Sequence, residues 1–338
     1  MNASVAILND AVYLAEYLAP FQGLLNDPLV TEIMVNRPGE IWAERVGDGM
    51  GRHMDPRIDD QLLRRLAEQV ARLSNQGINR NQPLLSGRLP DGARVQFVGP
   101  SATRGHWAMA IRRHRLVDVP LSAYAALPPA LEDGWRGCDP MQDPVAYLSA
   151  AIRARRTILV SGGTSTGKTT FLNALLRQMP EQERLVVVED TPEITLSAPN
   201  AVGLVAVKGE MGEARVTAND LLLASLRLRP DRIVLGELRG EEAVSFLRAV
   251  NTGHPGSVST IHANSPQGAL QQLALMVMQT GFNLSVQDTI AYARSVVDLI
   301  VQLDRRDGTR GISAIWEAGD KSRPAPGPKV GSVTLIWT

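Results

Sequence analysis

One stretch, Arg156–Thr170, limits what this chain can fold into more than any other: R-T-I-L-V-S-G-G-T-S-T-G-K-T-T. It reads as a short buried strand, a glycine-rich loop and the start of a helix. Gly162, Gly167, Lys168 and Thr169 hold the fixed positions of G-x-x-x-x-G-K-[ST]. Glycine at 162, 163 and 167 lets the backbone turn its N–H groups inward around phosphate oxygens. A helix opening at Lys168 adds its positive N-terminal end. Lys168 supplies a cation for β and γ phosphates, and Thr169 a hydroxyl for Mg²⁺. The candidate ATP-binding loop is therefore Gly162, Gly163, Thr164, Ser165, Thr166, Gly167, Lys168, Thr169 and Thr170. Glycine loops also arise by chance. Here the apolar run Thr157–Val160 precedes the loop and a helical pattern (Phe171, Leu172, Leu175, Leu176) follows it, which is the context the motif needs.

A chain of 338 residues suggests about two domains at roughly 150 residues each. Lys plus Arg and Asp plus Glu both number 35, so the chain is neutral. That argues against strong bulk nucleic-acid binding, which favours a basic surface. The single cysteine, Cys138, allows neither an internal disulfide nor a zinc cluster. No apolar run reaches the roughly 18 residues of a membrane span, and the N-terminus lacks the basic start and apolar core of a signal peptide. The expectation is a soluble, intracellular protein.

Apolar residues at Val5, Leu8, Val12, Ala15 and Leu18 approach helical spacing. Without a Lys/Arg face this reads as a packing helix rather than a membrane-surface one. Thr31–Val35 and Ile41–Arg45 predict a hairpin around N-R-P-G. Ile58, Leu62, Leu66, Val70 and Leu73 form a helical stripe, and strands are predicted near 88–98 and 107–112. Residues 1–115 thus read as a smaller α+β N-terminal domain. Between 116 and 143, Pro120, Pro128, Pro129 and Pro140 break every pattern, which predicts a linker. From 144 to 338, apolar strands alternate with helices. Such a pattern implies an α/β domain with a mostly parallel sheet covered on both faces. Ligands bind such sheets at the carboxyl ends of the strands.

Candidate reactive groups stand at those ends. V-V-V-E-D-T-P-E places Glu189 and Asp190 at one tip, and I-V-L-G-E-L-R-G places Glu237 at another. The usual companion of a phosphate loop is four apolar residues and then Asp. Here Gly236 takes that position and Glu237 follows. T-G-H-P-G-S-V-S-T-I-H-A-N brings His254 and His262. Each has a plain alternative: the carboxylates as solvated loop residues, the histidines as turn caps or a metal pair. The histidine spacing is not a familiar ligand spacing, and no cysteines support zinc. Asp231 reads as shaping the R-P-D turn.

The four boxes in this order resemble the ATPase superfamily of type II secretion, type IV secretion and type IV pili. The resemblance covers roughly Val145–Val301. The first domain joins in, with V-T-E-I-M-V-N-R-P-G-E-I-W near residue 30 and L-P-D-G-A-R-V near residue 90. The chain lacks the four-cysteine insertion and the A-I-R-A-G-E signature found in parts of that superfamily. It is most similar to the conjugal-transfer members of the type IV secretion branch. The tail after about Arg305 matches nothing.

The resemblance implies a RecA-like phosphate-loop ATPase domain behind the α+β domain, and Mg²⁺-dependent ATP hydrolysis in a homo-hexamer. It implies catalytic roles for Glu189 as base or water-positioning group, Glu237 acting through Mg²⁺ or water, and His254 and His262 as γ-phosphate sensors or links to a neighbour. Arg104 and Arg112, in T-R-G-x-x-x-x-x-R, match two arginines that reach the phosphates from the first domain. Thr169 and Glu237 are the expected Mg²⁺ contacts. It also implies partners in an inner-membrane secretion or conjugation machine, with the chain peripheral at the cytoplasmic face. Competing expectations are a pilus or type II secretion motor, a nucleic-acid translocase or helicase, and an inactive nucleotide-binding scaffold. Zero net charge and the lack of aromatic stacking clusters weigh against the translocase.

Overall fold

The computed structural model describes residues 13–113, 134–137, 139, 140, 142–208, 215–281 and 284–319. Residues 5–12 of the expected first helix, most of the expected linker, Cys138 and the tail beyond 319 lie outside them. The chain divides into two units, Met1–Leu127 with Val202–Arg229, and Pro128–Ala201 with Pro230–Thr338. This departs from the contiguous boundaries the sequence suggests. Val202–Arg229 interrupts the alternating pattern, and besides its share of strand Ala201–Val205 it bonds to first-unit residues. Leu204 bridges Thr103, and the Arg229 guanidinium pairs with both oxygens of Glu44.

In the first unit, helix α1 (Asp60–Leu73) opens where Asp59 accepts from the Leu62 amide at 2.6 Å, satisfying one orphan donor of the first turn. Its buried face is Leu63, Leu66, Ala67 and Val70, one position off the expected edge at Leu62 and Leu73. That face packs on a six-stranded sheet formed by β1 (Val30–Val35), β2 (Glu40–Arg45), β3 (Gly49–Met54), β4 (Leu84–Arg88), β5 (Arg94–Val98) and β6 (Ala108–Arg112). Strand order is β3-β2-β1-β6-β5-β4, with every pair antiparallel. Alternate residues (Ile33, Val35, Val95, Phe97, Met109, Ile111) build its core. A fully buried side chain of this kind contributes about 1.5–3 kcal/mol.

The second unit starts with helix α2 (Pro144–Arg153), capped by Asp143, then β7 (Ile158–Gly162), α3 (Lys168–Leu176) and β8 (Leu185–Glu189). Strand β9 (Ala201–Val205) carries the chain to the first unit, where a ribbon of β10 (Val207–Lys208) and β11 (Arg215–Val216) leads into α4 (Ala218–Ser225). Thr217 and Asp220 cap α4 reciprocally, as their spacing predicts. Back in the second unit follow β12 (Arg232–Leu238), α5 (Glu242–Asn251), β13 (Val258–Ile261), α6 (Pro266–Gln279), α7 (Val286–Val296), β14 (Leu299–Arg306) and β15 (Thr309–Glu317).

The sheet runs β15-β14-β7-β13-β12-β8-β9. Strands β14, β7, β13, β12 and β8 are parallel, and β15 is antiparallel to β14. Their apolar residues are almost wholly buried, as expected of a sheet covered on both faces. No helix among the described residues is long and apolar enough to cross a membrane.

Candidate nucleotide site

Strand β7, between β14 and β13, ends in the phosphate loop, and α3 begins at Lys168. Gly162 is required sterically, because a β-carbon there would lie 2.5 Å from Thr166 Oγ1 and 3.1 Å from the Leu303 carbonyl oxygen. Gly167 has φ +87°, the left-handed region that favours glycine. Thr166 closes the loop on itself, its hydroxyl donating to the Gly163 carbonyl at 2.9 Å. Arg310, near the start of β15, donates from Nε to the Ser165 carbonyl at 2.9 Å. The tail of this domain, which matches no motif, thus holds the crown of the loop.

Lys168 is buried and donates to the carbonyls of Gly162 (3.0 Å) and Gly163 (3.1 Å). Its Nζ also lies 3.2 Å from His262 Nδ1. An ammonium only donates, so Nδ1 accepts and the ring proton sits on Nε2. That nitrogen faces Glu237 Oε1 at 3.0 Å. The other Glu237 oxygen accepts from Arg239 at 2.7 Å, and Arg239 reaches Asp190 at 3.3 Å. Burial holds the Lys168 ammonium below the usual lysine range, with Glu237 pulling it up and Arg239 pushing it down. The bond to Glu237 raises the Arg239 guanidinium.

The displaced acid has a geometric cause. The pairing of β12 with β13 steps from Leu235↔Ser259 to Leu238↔Ile261, so Gly236 and Glu237 oppose one residue. A bulge of this kind re-aims side chains, and here Glu237 meets His262. Gly236 also leaves room for Glu189, whose Cγ would be 3.3 Å from a β-carbon at 236.

Glu189 is buried, and its Oε1 accepts from the Glu193 and Ile194 amides at 2.8 and 2.7 Å. That turn delivers Glu193 to Thr169, whose hydroxyl donates to Glu193 Oε2 at 3.2 Å. Asn173 of α3 holds the same turn, accepting from the Thr195 amide at 2.8 Å. Glu193 is the functional candidate that sequence reasoning passed over. It closes the box E-D-T-P-E, but the strand end drew attention to Glu189. Asp231, expected to shape the R-P-D turn, accepts from the Arg184 amide at 2.7 Å and so ties the approach to β12 to that of β8.

The structure therefore brings Lys168, Thr169, Glu193, Glu237, His262 and Arg239 together, with Glu189 supporting them from behind. His254 is not among them. It precedes β13, so it sits at the amino edge of the parallel sheet, its Nδ1 3.0 Å from the Pro230 carbonyl. Arg104 and Arg112 belong to the first unit. Arg104 lies across Gly203, where a β-carbon would fall 2.7 Å from its Nε. Arg112 ends β6, mostly exposed, 3.4 Å from Glu32.

Among the described residues no group of three or more His, Cys, Asp or Glu side chains forms a metal cluster. The Thr169 hydroxyl beside the Glu193 carboxylate, with Glu237 behind Lys168, instead offers scattered oxygen donors. Mg²⁺ uses such donors when phosphates and water complete its octahedron.

The chain matches the family model described as "Type II/IV secretion system protein" over residues 137–309. It is 36% identical over 322 residues to the type IV secretion system protein VirB11 of Brucella suis, covering 89% of each chain. It is 39% identical over 305 residues to the type IV secretion system protein PtlH of Bordetella pertussis, covering 85% of this chain and 90% of the relative. Among solved structures it is similar to the VirB11 ATPase of the Brucella suis type IV secretion system in complex with sulphate. The TM-score is 0.84 and the identity 34%, over 92% of this chain and 96% of that one.

Proposed function

Since the chain belongs to the type II/IV secretion system protein family, in its type IV secretion branch, we propose that it hydrolyses ATP with Mg²⁺ as the motor of a type IV secretion machine. The observation that carries the chemistry is the continuous chain from the phosphate loop through Lys168, His262 and Glu237 to Arg239. Phosphoryl transfer asks a protein mainly for positioning and electrostatic stabilisation. Loop amides and Lys168 bind the β and γ phosphates. His262, linking Lys168 to Glu237, reads whether the cation has moved onto a γ-phosphate. Glu237 orients the attacking water and takes its proton, while Arg239 holds that carboxylate in place. Glu189 fixes the turn that presents Glu193. Thr169, Glu193 and Glu237 would hold Mg²⁺, which when bound neutralises charge on the phosphates.

Positive charge for the transition state comes in addition from the first unit, through Arg104 and Arg112. His254, at the far edge of the sheet, serves a neighbouring chain in a homo-hexamer rather than its own loop. The partners are inner-membrane secretion or conjugation components, and the chain works peripherally at the cytoplasmic face. The conjugal-transfer ATPase TrbB is the narrower likeness we retain. The test is ATP hydrolysis and equilibrium ATP binding for the intact chain and for Lys168→Ala. Both should fall sharply in the variant, and unchanged ATP affinity would remove the phosphate loop from the mechanism.

A further inference from the structure

The hairpin of β14 and β15 stands beside the phosphate loop by register. Leu303 of β14 faces Gly162 at the end of β7, and Ile312 of β15 faces Leu303. Arg310 is two residues before Ile312, on the same face of the sheet and level with the loop that follows Gly162. Its side chain meets that loop at two points. The stem runs along Gly167, where a β-carbon would fall 3.3 Å from Arg310 Cδ. The Nε donates to the Ser165 carbonyl at 2.9 Å. The other N–H groups of this guanidinium make no hydrogen bond or ion pair among the described residues.

Ser165 needs a restraint. Its φ is +61°, in the left-handed region that a residue with a β-carbon enters only at a cost. The bond from Arg310 also sets the direction of a neighbouring donor. The described residues contain no cis peptide bond, and across a trans peptide the carbonyl and the next N–H point opposite ways. A Ser165 carbonyl turned out to Arg310 therefore turns the Thr166 N–H inward. Thr166 is buried, its hydroxyl is committed to the Gly163 carbonyl, and its N–H meets no acceptor among the described residues. A buried amide without a partner is costly, and inward-facing loop amides of this kind are what an anion settles on.

We propose that Arg310 is a positioning residue for phosphate binding. Through the Ser165 carbonyl it holds the peptide between 165 and 166 with its N–H inward, so the loop is set for a phosphate oxygen before nucleotide arrives. Donors fixed in advance cost no reorganisation when the ligand binds. In this role Arg310 does not touch the nucleotide, and what matters is its Nε donor rather than its charge. The inference rests on the phosphate loop being the ATP site.

Two substitutions separate the donor from the charge. Glutamine carries an N–H after Cβ, Cγ and Cδ, where arginine has Nε, and methionine puts a methyl group there. Both keep a stem over Gly167 and both lose the charge. The full chain is compared as wild type, Arg310→Gln, Arg310→Met and Lys168→Ala. Equilibrium binding of labelled ATP is measured with Mg²⁺, and inorganic pyrophosphate is read by displacement of that ATP. Arg310→Met should weaken both ligands at least about 5-fold while Arg310→Gln stays within about 2-fold of wild type, the scale of one aligned hydrogen bond to a charged group. Equal weakening in the two variants overturns the proposal, since the charge would then be what counts. Weakening for ATP alone also overturns it, because the guanidinium would then hold the nucleoside. So does wild type that takes no pyrophosphate, as a loop set in advance binds phosphates without the nucleoside. Circular dichroism melts check folding. If Arg310→Met melts early, Arg310→Ala takes its place against Arg310→Gln under the same criteria. Wild-type ATP affinity in Lys168→Ala would sink the phosphate-loop reading itself. Loss in Lys168→Ala with none in Arg310→Met sinks this inference alone.

Discussion

Gly162→Ala asks how tightly the phosphate loop is packed. The added β-carbon would lie 2.5 Å from Thr166 Oγ1, 3.3 Å from Thr166 Cβ and 3.1 Å from the Leu303 carbonyl oxygen. Thr166 has little freedom to retreat, being buried with its hydroxyl committed to the Gly163 carbonyl. Losing that hydrogen bond costs about 0.5–1.5 kcal/mol. Overpacking adds about 1–3 kcal/mol, so with the lost bond the total is roughly 1.5–4.5 kcal/mol. In a unit of this size 1 kcal/mol moves the melting temperature by about 2–4 °C. Gly163→Ala is the matched control, because its β-carbon meets nothing nearer than Asn264 Oδ1 at 3.7 Å. It should cost less than about 0.5 kcal/mol. Gly162→Ala combined with Thr166→Ala removes the nearest obstacle and should recover part of the loss. The assay is urea unfolding of the wild type, Gly162→Ala, Thr166→Ala and their double variant, closed as a double-mutant cycle, with Gly163→Ala beside them. If Gly162→Ala is as stable as Gly163→Ala, or positions 162 and 166 do not couple, the packing argument is refuted.

Three further outcomes follow from the site. Glu237→Gln should leave ATP binding largely intact while turnover drops about 10²-fold, the scale of losing a positioned base; a near wild-type rate would strike Glu237 from the mechanism. The depressed Lys168 ammonium binds its proton less tightly folded than unfolded, so its charge penalises the folded state. Stability relative to Lys168→Met should therefore rise as pH climbs through the folded value toward 10.5, and a flat difference across that window would contradict the burial. Gly203→Ala should push the Arg104 side chain out of place and lower kcat as Arg104→Ala does, with ring assembly by ultracentrifugation unchanged. Full activity in Gly203→Ala would separate that glycine from the arginine's role.

Much of this was legible because local physics and global fold agree. The phosphate loop, β8, β13 and the capping box of α4 stand where apolar runs, glycines and cap residues put them. Strand β3, G-M-G-R-H-M, escaped notice because it is an exposed edge with no apolar alternation. Strand β15 carried a signal that went unused. Asp307 and Gly308 both have positive φ, and Arg306 faces Thr309, so R-D-G-T is a two-residue hairpin turn. Glu193 was hidden for another reason. Its position depends on two amides gripping Glu189, a contact that spacing alone does not encode. The bulge at Gly236 shows in sequence only as an acid one place late. Its partner, His262, emerges from register. The placement of Val202–Arg229 with the first unit was beyond reach, because a strand pattern does not say which sheet will receive it.

That interleaved connectivity bears on how the protein is made. The first unit consists of residues up to Leu127 and the segment Val202–Arg229, with part of the second unit translated in between. On the ribosome the six-stranded sheet emerges whole, but Glu44 and Thr103 wait for Arg229 and Leu204, which follow on the order of a hundred residues later. At about 5–20 residues per second that delay is roughly 5–20 s. A half-built sheet with the Glu44 carboxylate unanswered must stay soluble through the interval. Rare codons or a chaperone acting between residues 127 and 229 would therefore alter the yield of folded protein more than the same intervention after residue 230.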